Sequence, residues 1–339
     1  MRQLRLCVLF GLLCLAPSLA AAQSVEAFYR GRTVALTIGL GAGGGYDLYA
    51  RVMAKHIGRY IPGNPVIVPK NMPGGGGVQA SNYLANVAAR DGSELGMLAP
   101  SVILMPLFGD PAAKFDPRDL SWIGSMNNEV LSCGVWHTTG LTHFEEMYQK
   151  EVIFGGSGPA GVTTQHPLVL KNLLGAKAKV ITGYAGSKEL NLAMQRGEVE
   201  GACGLSASSL KTQWREEWHD GRLRVLIQMG SHDQPDLEGV PDIYKFARSD
   251  EDLQVLHLLF DQSVIGRVVF APPAMPRDRL EALRRALAAM LADKDFRADA
   301  DKAQMEIDPA TGPDIESLLQ RFFAYPHGII AKAKAVAGI

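Results

Sequence analysis

The chain has 339 residues, 47% hydrophobic and 20% charged, which is enough apolar material for about two packed cores. Its net charge of −1 provides no broad basic field to hold nucleic acid. Beyond the N-terminus no stretch is long and apolar enough to cross a bilayer.

Residues 1–22 read as a secretory signal. Arg2 and Arg5 give a positive start, residues 6–16 are apolar, and Ala20, Ala21 and Ala22 offer small residues for cleavage before Gln23. The apolar run is too short for a membrane span, and Cys14 lacks the small residue before it that a lipoprotein anchor needs. The mature protein is therefore expected in the periplasm. Export leaves Cys133 and Cys203, either bridged or as two separate buried thiols.

From Gln23 the pattern alternates strand and helix. A strand is predicted over residues 34–38, followed by a run with five glycines in residues 39–45. A helix then follows, with Tyr46, Ala50, Met53, Ile57 and Tyr60 on one face. A second strand, residues 66–68, leads to a glycine turn at residues 71–77 and a helix carrying Ala80, Tyr83, Leu84 and Val87. Residues 94–98 form the next strand. Such alternation implies a parallel sheet, with ligands beyond the carboxyl ends of its strands.

A second unit is expected from about Ser125. It has strands at residues 130–135, 152–154, 179–182, 201–205 and 223–229. A third glycine turn, residues 155–161, opens a helix at Thr163 and Thr164 that runs to Leu174. A fourth, Gly183-Tyr184-Ala185-Gly186-Ser187, opens a helix over residues 188–196, for which Ser187 is the predicted cap. The remainder holds a polar loop at 231–241, a helix at 250–260, a strand at 267–270, further helices to Phe323, and an Ala/Lys tail.

Glycine turns at helix starts bare backbone amides and attract anions. Gly39, Gly41 and Gly44 match a dinucleotide fingerprint, but the second strand ends in Pro69, Lys70 and Asn71, without the acidic ribose ligand. A small carboxylate fits better. Four such turns, two in each unit, make one shared anion cleft the expectation. Ser157 invites a hydrolase reading with His166, yet Pro159 stands where a nucleophile elbow needs glycine. His166 otherwise braces its turn, Asp47 meets a ligand or serves as a helix-start carboxylate, and Tyr184 lines a pocket or packs. Lys188 is the one cation predicted at a turn mouth. The histidines show no metal spacing.

The turns also carry a resemblance. Gly43-Gly44-Gly45-Tyr46-Asp47, Asn71-Met72-Pro73-Gly74-Gly75-Gly76, residues 155–166, Gly183-Tyr184-Ala185-Gly186, Gly197-Glu198-Val199, residues 220–224 and residues 270–276 resemble motifs of the extracytoplasmic solute receptors of tripartite tricarboxylate transporters, the TctC or Bug-type receptors. Gly183 departs from the proline of the family's P-Y-x-G, and Pro167 from its usual leucine after the histidine. The resemblance implies an α/β fold, a two-domain periplasmic binding protein of Venus-flytrap, type II shape. Each domain would be a mainly parallel sheet flanked by helices, with residues 23–124 and 231–339 in the first and 125–230 in the second. It further implies a non-enzymatic receptor that closes on a small organic carboxylate, without cofactor or metal. Its membrane partners would be a large and a small integral subunit, and the receptor itself a monomer. The expected ligand-binding residues are Gly44, Gly45, Tyr46, Asp47, Gly75, Gly76, Ser157, Gly158, Thr163, Thr164, His166, Tyr184, Gly186 and Ser187. The alternatives are a secreted serine hydrolase using Ser157 and His166, and a ligand-sensing receptor for a membrane signalling protein.

Overall fold

The computed structural model describes residues 24–159, 161–230 and 234–339. The signal reading of residues 1–22 lies outside the described residues. Eleven strands, numbered in chain order, form two sheets. The first sheet contains β1 (Thr33–Ile38), β2 (Val66–Asn71), β3 (Glu94–Leu98), β4 (Ser121–Ser125), β10 (Val268–Ala271) and β11 (Ala310–Thr311). The second contains β5 (Leu131–Trp136), β6 (Val152–Gly156), β7 (Ala178–Thr182), β8 (Gly201–Ser206) and β9 (Leu223–Met229). Their orders are β11-β4-β10-β3-β1-β2 and β7-β6-β8-β5-β9.

The βαβ units are parallel, as expected: β1 pairs with β2 and β3, and β6 with β7 and β8. Each sheet also carries an internal strand that runs against these neighbours, and the short β11 is antiparallel to β4 at the edge of the first sheet. β10 lies antiparallel between β3 and β4, and β5 antiparallel between β8 and β9. Both are the first strand the chain enters after crossing from the other sheet, so the reversal follows from the crossing.

Local sequence accounts for most elements. β1 buries every residue after Thr33, as a strand covered on both faces must, and its Val, Ile and Thr content suits that site. The helix Gly45–Ile57 buries Ala50, Met53 and Ile57, the face its periodicity predicts. Several elements escaped that reading, among them one strand and one long helix. Ser121–Ser125 is buried throughout and shows no alternation, so nothing in its pattern marks it as a strand. The Ala/Lys tail is a helix, His327–Ala337, closed by Gly338 in the left-handed region. It buries Ile329, Ala333 and Val336 against the helices Val162–Asn172 and Asp250–Phe260. Asn172 Nδ2 donates to the Val336 carbonyl at 2.9 Å. A segment that follows the first sheet thus docks on a helix of the second.

Cys133 and Cys203 stand opposite one another in the β5–β8 register and are bridged. Among the described residues no helix is long and apolar enough to cross a membrane.

Candidate functional site

The four glycine turns open the helices Gly45–Ile57, Val78–Asn86, Val162–Asn172 and Ser187–Gln195. The residues before them are Gly44, Gly77, Gly161 and Gly186, and among the described residues no side chain caps any of the four starts. Ser249, Asp293 and Thr311 do cap helices elsewhere. The first N–H groups of a helix have no partner within it, and they carry the positive end of its dipole. Four starts therefore keep donors uncommitted. The expectation that Ser187 is a cap is corrected here: it is the first helical residue, and its Oγ donates to Gln213 Oε1 at 2.6 Å.

All four turns reach one cleft of about 200 Å³. Gly41, Gly44 and Gly45 come to it from the first turn, Gly76 from the second, Ser157 and Gly161 from the third, and Ala185 and Gly186 from the fourth. The turns of one sheet closely face those of the other. A Cβ on Gly158 would lie 3.7 Å from the Gly76 nitrogen, and one on Gly41 would lie 3.6 Å from the Ala185 carbonyl oxygen.

Of the residues expected to bind ligand, Gly44, Gly45, Tyr46, Gly76, Ser157, Thr163, His166, Gly186 and Ser187 line this cleft. Gly75 and Gly158 meet at the contact between turns, outside the wall; a Cβ on Gly158 would be 3.9 Å from the Gly75 carbonyl carbon. Thr164 is buried beneath Gly156. Tyr184 packs beside Gly155 in the core that holds Leu190 and Val199. Asp47 is also outside the wall. Its Oδ2 accepts from the Gly43 amide and from Arg51 Nε, both at 2.9 Å, and its Oδ1 accepts from Asn71 Nδ2 at 2.9 Å. Burial alone would raise this carboxyl, but Arg51, the Gly43 amide and Asn71 hold it below its ordinary value. Asp47 thus ties the first glycine turn to β2, and both of its oxygens are committed to the protein.

His166 is 3% exposed and sits edge-on to Phe260, with ring centroids 4.9 Å apart. Burial pushes its imidazole down to about 3, so it is neutral at physiological pH. Among the described residues its Nδ1 has no hydrogen-bond partner. The Ser157 hydroxyl lies 2.9 Å from Thr163 Oγ1, which also accepts from the Ser157 amide. Ser157 is thus engaged with Thr163 and not with His166, and a histidine so reluctant to bind a proton is a poor general base.

The cleft floor contains residues that sequence reasoning did not select. Arg267 opens onto β10, and Glu129 precedes β5. Nη2 of Arg267 is 2.5 Å from Glu129 Oε1, and Nη1 is 2.7 Å from Oε2. The guanidinium lies against the rings of Tyr46 and Tyr49, 4.2 and 4.7 Å from their centroids. Burial raises both phenols, Tyr49 to about 12, and it raises the Glu129 carboxyl against the pull of Arg267. The two crossings between the sheets run side by side here. Met126 N donates to the Arg267 carbonyl, Gly266 N to that of Asn127, and Glu129 N to that of Ser263. The available signal was a lone charge abutting each apolar strand at a crossing. Leu131, Met229, Leu259 and Phe260 complete an apolar wall, and Lys188 and Glu189 also line the cleft.

No family model matches the chain. A curated relative, the UPF0065 protein in gbd 5'region of Cupriavidus necator, is 28% identical over 222 residues, 62% of this chain. The chain spans about 63% of that relative's length. Among solved structures, the periplasmic binding protein BugD has a TM-score of 0.72 at 16% identity, covering 92% of this chain and 99% of its own. An R. palustris protein solved with adipate gives 0.72 at 18% identity, covering 91% and 98%. MatC from Rhodopseudomonas palustris with bound malate gives 0.67 at 18%, covering 91% and 99%. These likenesses show the two-domain periplasmic binding protein fold, and they bear out the resemblance to TctC and Bug-type receptors.

Proposed function

We propose that this chain is an exported, non-enzymatic receptor that captures a small organic carboxylate by closing its two domains and delivers it to a membrane transporter. The carrying observation is that three helix starts without side-chain caps, and the glycine turn before a fourth, contributed by both sheets, line one cleft. Each start carries about half a positive charge and a set of free N–H donors, so a carboxylate is stabilised there without a dedicated arginine. Because the donors come from both sides, the ligand binds the closed form more tightly than the open one, and that difference drives closure.

The domains are proposed as residues 23–124 with 231–339, and residues 125–230, following the two sheets. The ligands of the R. palustris proteins, adipate and malate, support a carboxylate as the class. A large and a small integral subunit of a tripartite tricarboxylate-type transporter are the proposed partners, and the periplasm the proposed location. The hydrolase alternative loses its basis in the Ser157–Thr163 contact and the neutral His166. Thermal-shift screening of the purified chain against a carboxylate panel, followed by calorimetry on the hits, tests the receptor reading. Stabilisation by a subset of carboxylates is expected; stabilisation by none of them refutes it.

A further inference from the structure

Among the described residues the charges lining the cleft are Glu129, Lys188, Glu189 and Arg267, two of each sign. Arg267 is the cation beside the first helix start, where a Cβ on Gly45 would lie 3.2 Å from its Nη2. That guanidinium is already matched by Glu129, and the pair is buried, with side chains 4% and 2% exposed. His166 adds no positive charge.

Among the described residues, four buried polar atoms in the same wall have no hydrogen-bond partner: Gln262 Oε1, His166 Nδ1, Arg267 Nε and Glu129 Oε1, the last held only by its ion pair with Arg267 Nη2. Gln262 Nε2 donates to the Leu259 carbonyl at 2.7 Å, which orients the amide and leaves its oxygen as an acceptor. Arg267 Nε can only donate. An unpaired donor and an unpaired acceptor, both buried, favour a guest that offers one of each.

Resting on the carboxylate-receptor reading above, we propose that the ligand is a monocarboxylate whose other end is an uncharged donor–acceptor group such as a carboxamide, and that the Arg267–Glu129 pair excludes a second carboxylate. The helix starts take the single carboxylate. A second one at the floor would have to draw Arg267 away and leave Glu129 buried, unpaired and facing a like charge. A carboxamide asks for neither. Its N–H meets an acceptor such as Gln262 Oε1, and its carbonyl meets Arg267 Nε.

The test uses matched pairs: linear and aromatic dicarboxylates, each with its own monoamide, titrated into the purified chain by calorimetry at neutral pH. Monoamides are expected to bind at least about tenfold more tightly than their diacids. Diacids that bind as tightly as or more tightly than their monoamides overturn this inference and leave the receptor reading intact. Binding by no member of any pair overturns both. In Glu129→Gln the floor gains a net positive charge, and the preference should move toward the diacids by about tenfold or more. A folded Glu129→Gln protein with unchanged preference also overturns the inference. Should that variant not fold, the wild-type pairs decide alone.

Discussion

His166 makes the stability of this protein acid-sensitive in a way that can be isolated. In the unfolded chain its imidazole binds a proton near pH 6.5, whereas in the folded protein burial against Phe260 delays this to about pH 3. The folded pKa is depressed, so above pH 6.5 neither state is protonated and the residue carries no penalty. As the pH falls below 6.5 the unfolded state takes up a proton that the folded state refuses, and stability drops. Each pH unit in that window costs about 1.4 kcal/mol, so about 3 kcal/mol is lost between pH 6.5 and pH 4. The side chain is 3% exposed, so solvent screening does little to reduce this. His166→Gln keeps a polar group of similar reach without the titration. Urea unfolding of both proteins at pH 7, 6, 5 and 4, at constant ionic strength, should show a difference in stability that shifts by about 3 kcal/mol in favour of the variant on acidification. Parallel pH profiles for the two proteins would falsify this account of His166.

Two further outcomes are expected. Asp47→Ala removes the acceptor shared by the Gly43 amide, Arg51 and Asn71, and should cost about 1–3 kcal/mol in urea unfolding. Because it also frees the first glycine turn, affinity for any carboxylate hit should fall as well; unchanged affinity means the turn is held by something else. Replacing both Cys133 and Cys203 by serine opens a loop of sequence separation 70, for which chain entropy predicts a loss of about 4 kcal/mol. Equal unfolding midpoints for the wild-type and double-serine proteins, both under non-reducing conditions, would show that the bridge does not restrain the unfolded chain.

Much of this molecule could be read along the chain, and the reason is range. A strand, a glycine turn and a helix are each defined by neighbours within a few residues, so periodicity and glycine clustering located all four turns and the helices they open. The repetition of that unit was enough to anticipate a shared cleft lined by Gly44, Gly76 and Gly186. Elements without a local signature were missed. Ser121–Ser125 takes its strand conformation from pairing with β10 and β11, and the Ala/Lys segment becomes a helix with a buried face only where two other helices receive it.

The tertiary structure alone decided which partner each polar group takes. Asp47 could equally have faced a ligand until Asn71, 24 residues away, and Arg51 were seen to use its oxygens. Tyr184 and Ser187 are adjacent to the same turn, yet one packs into a core and the other binds Gln213. The bridge between Cys133 and Cys203 depends on the β5–β8 register. Most consequential is the floor of the cleft, where Arg267 meets Glu129 across 138 residues of chain because two crossings between the sheets run side by side. Burial and pairing are properties of the assembled space, and a residue's chemistry is set by what is brought beside it.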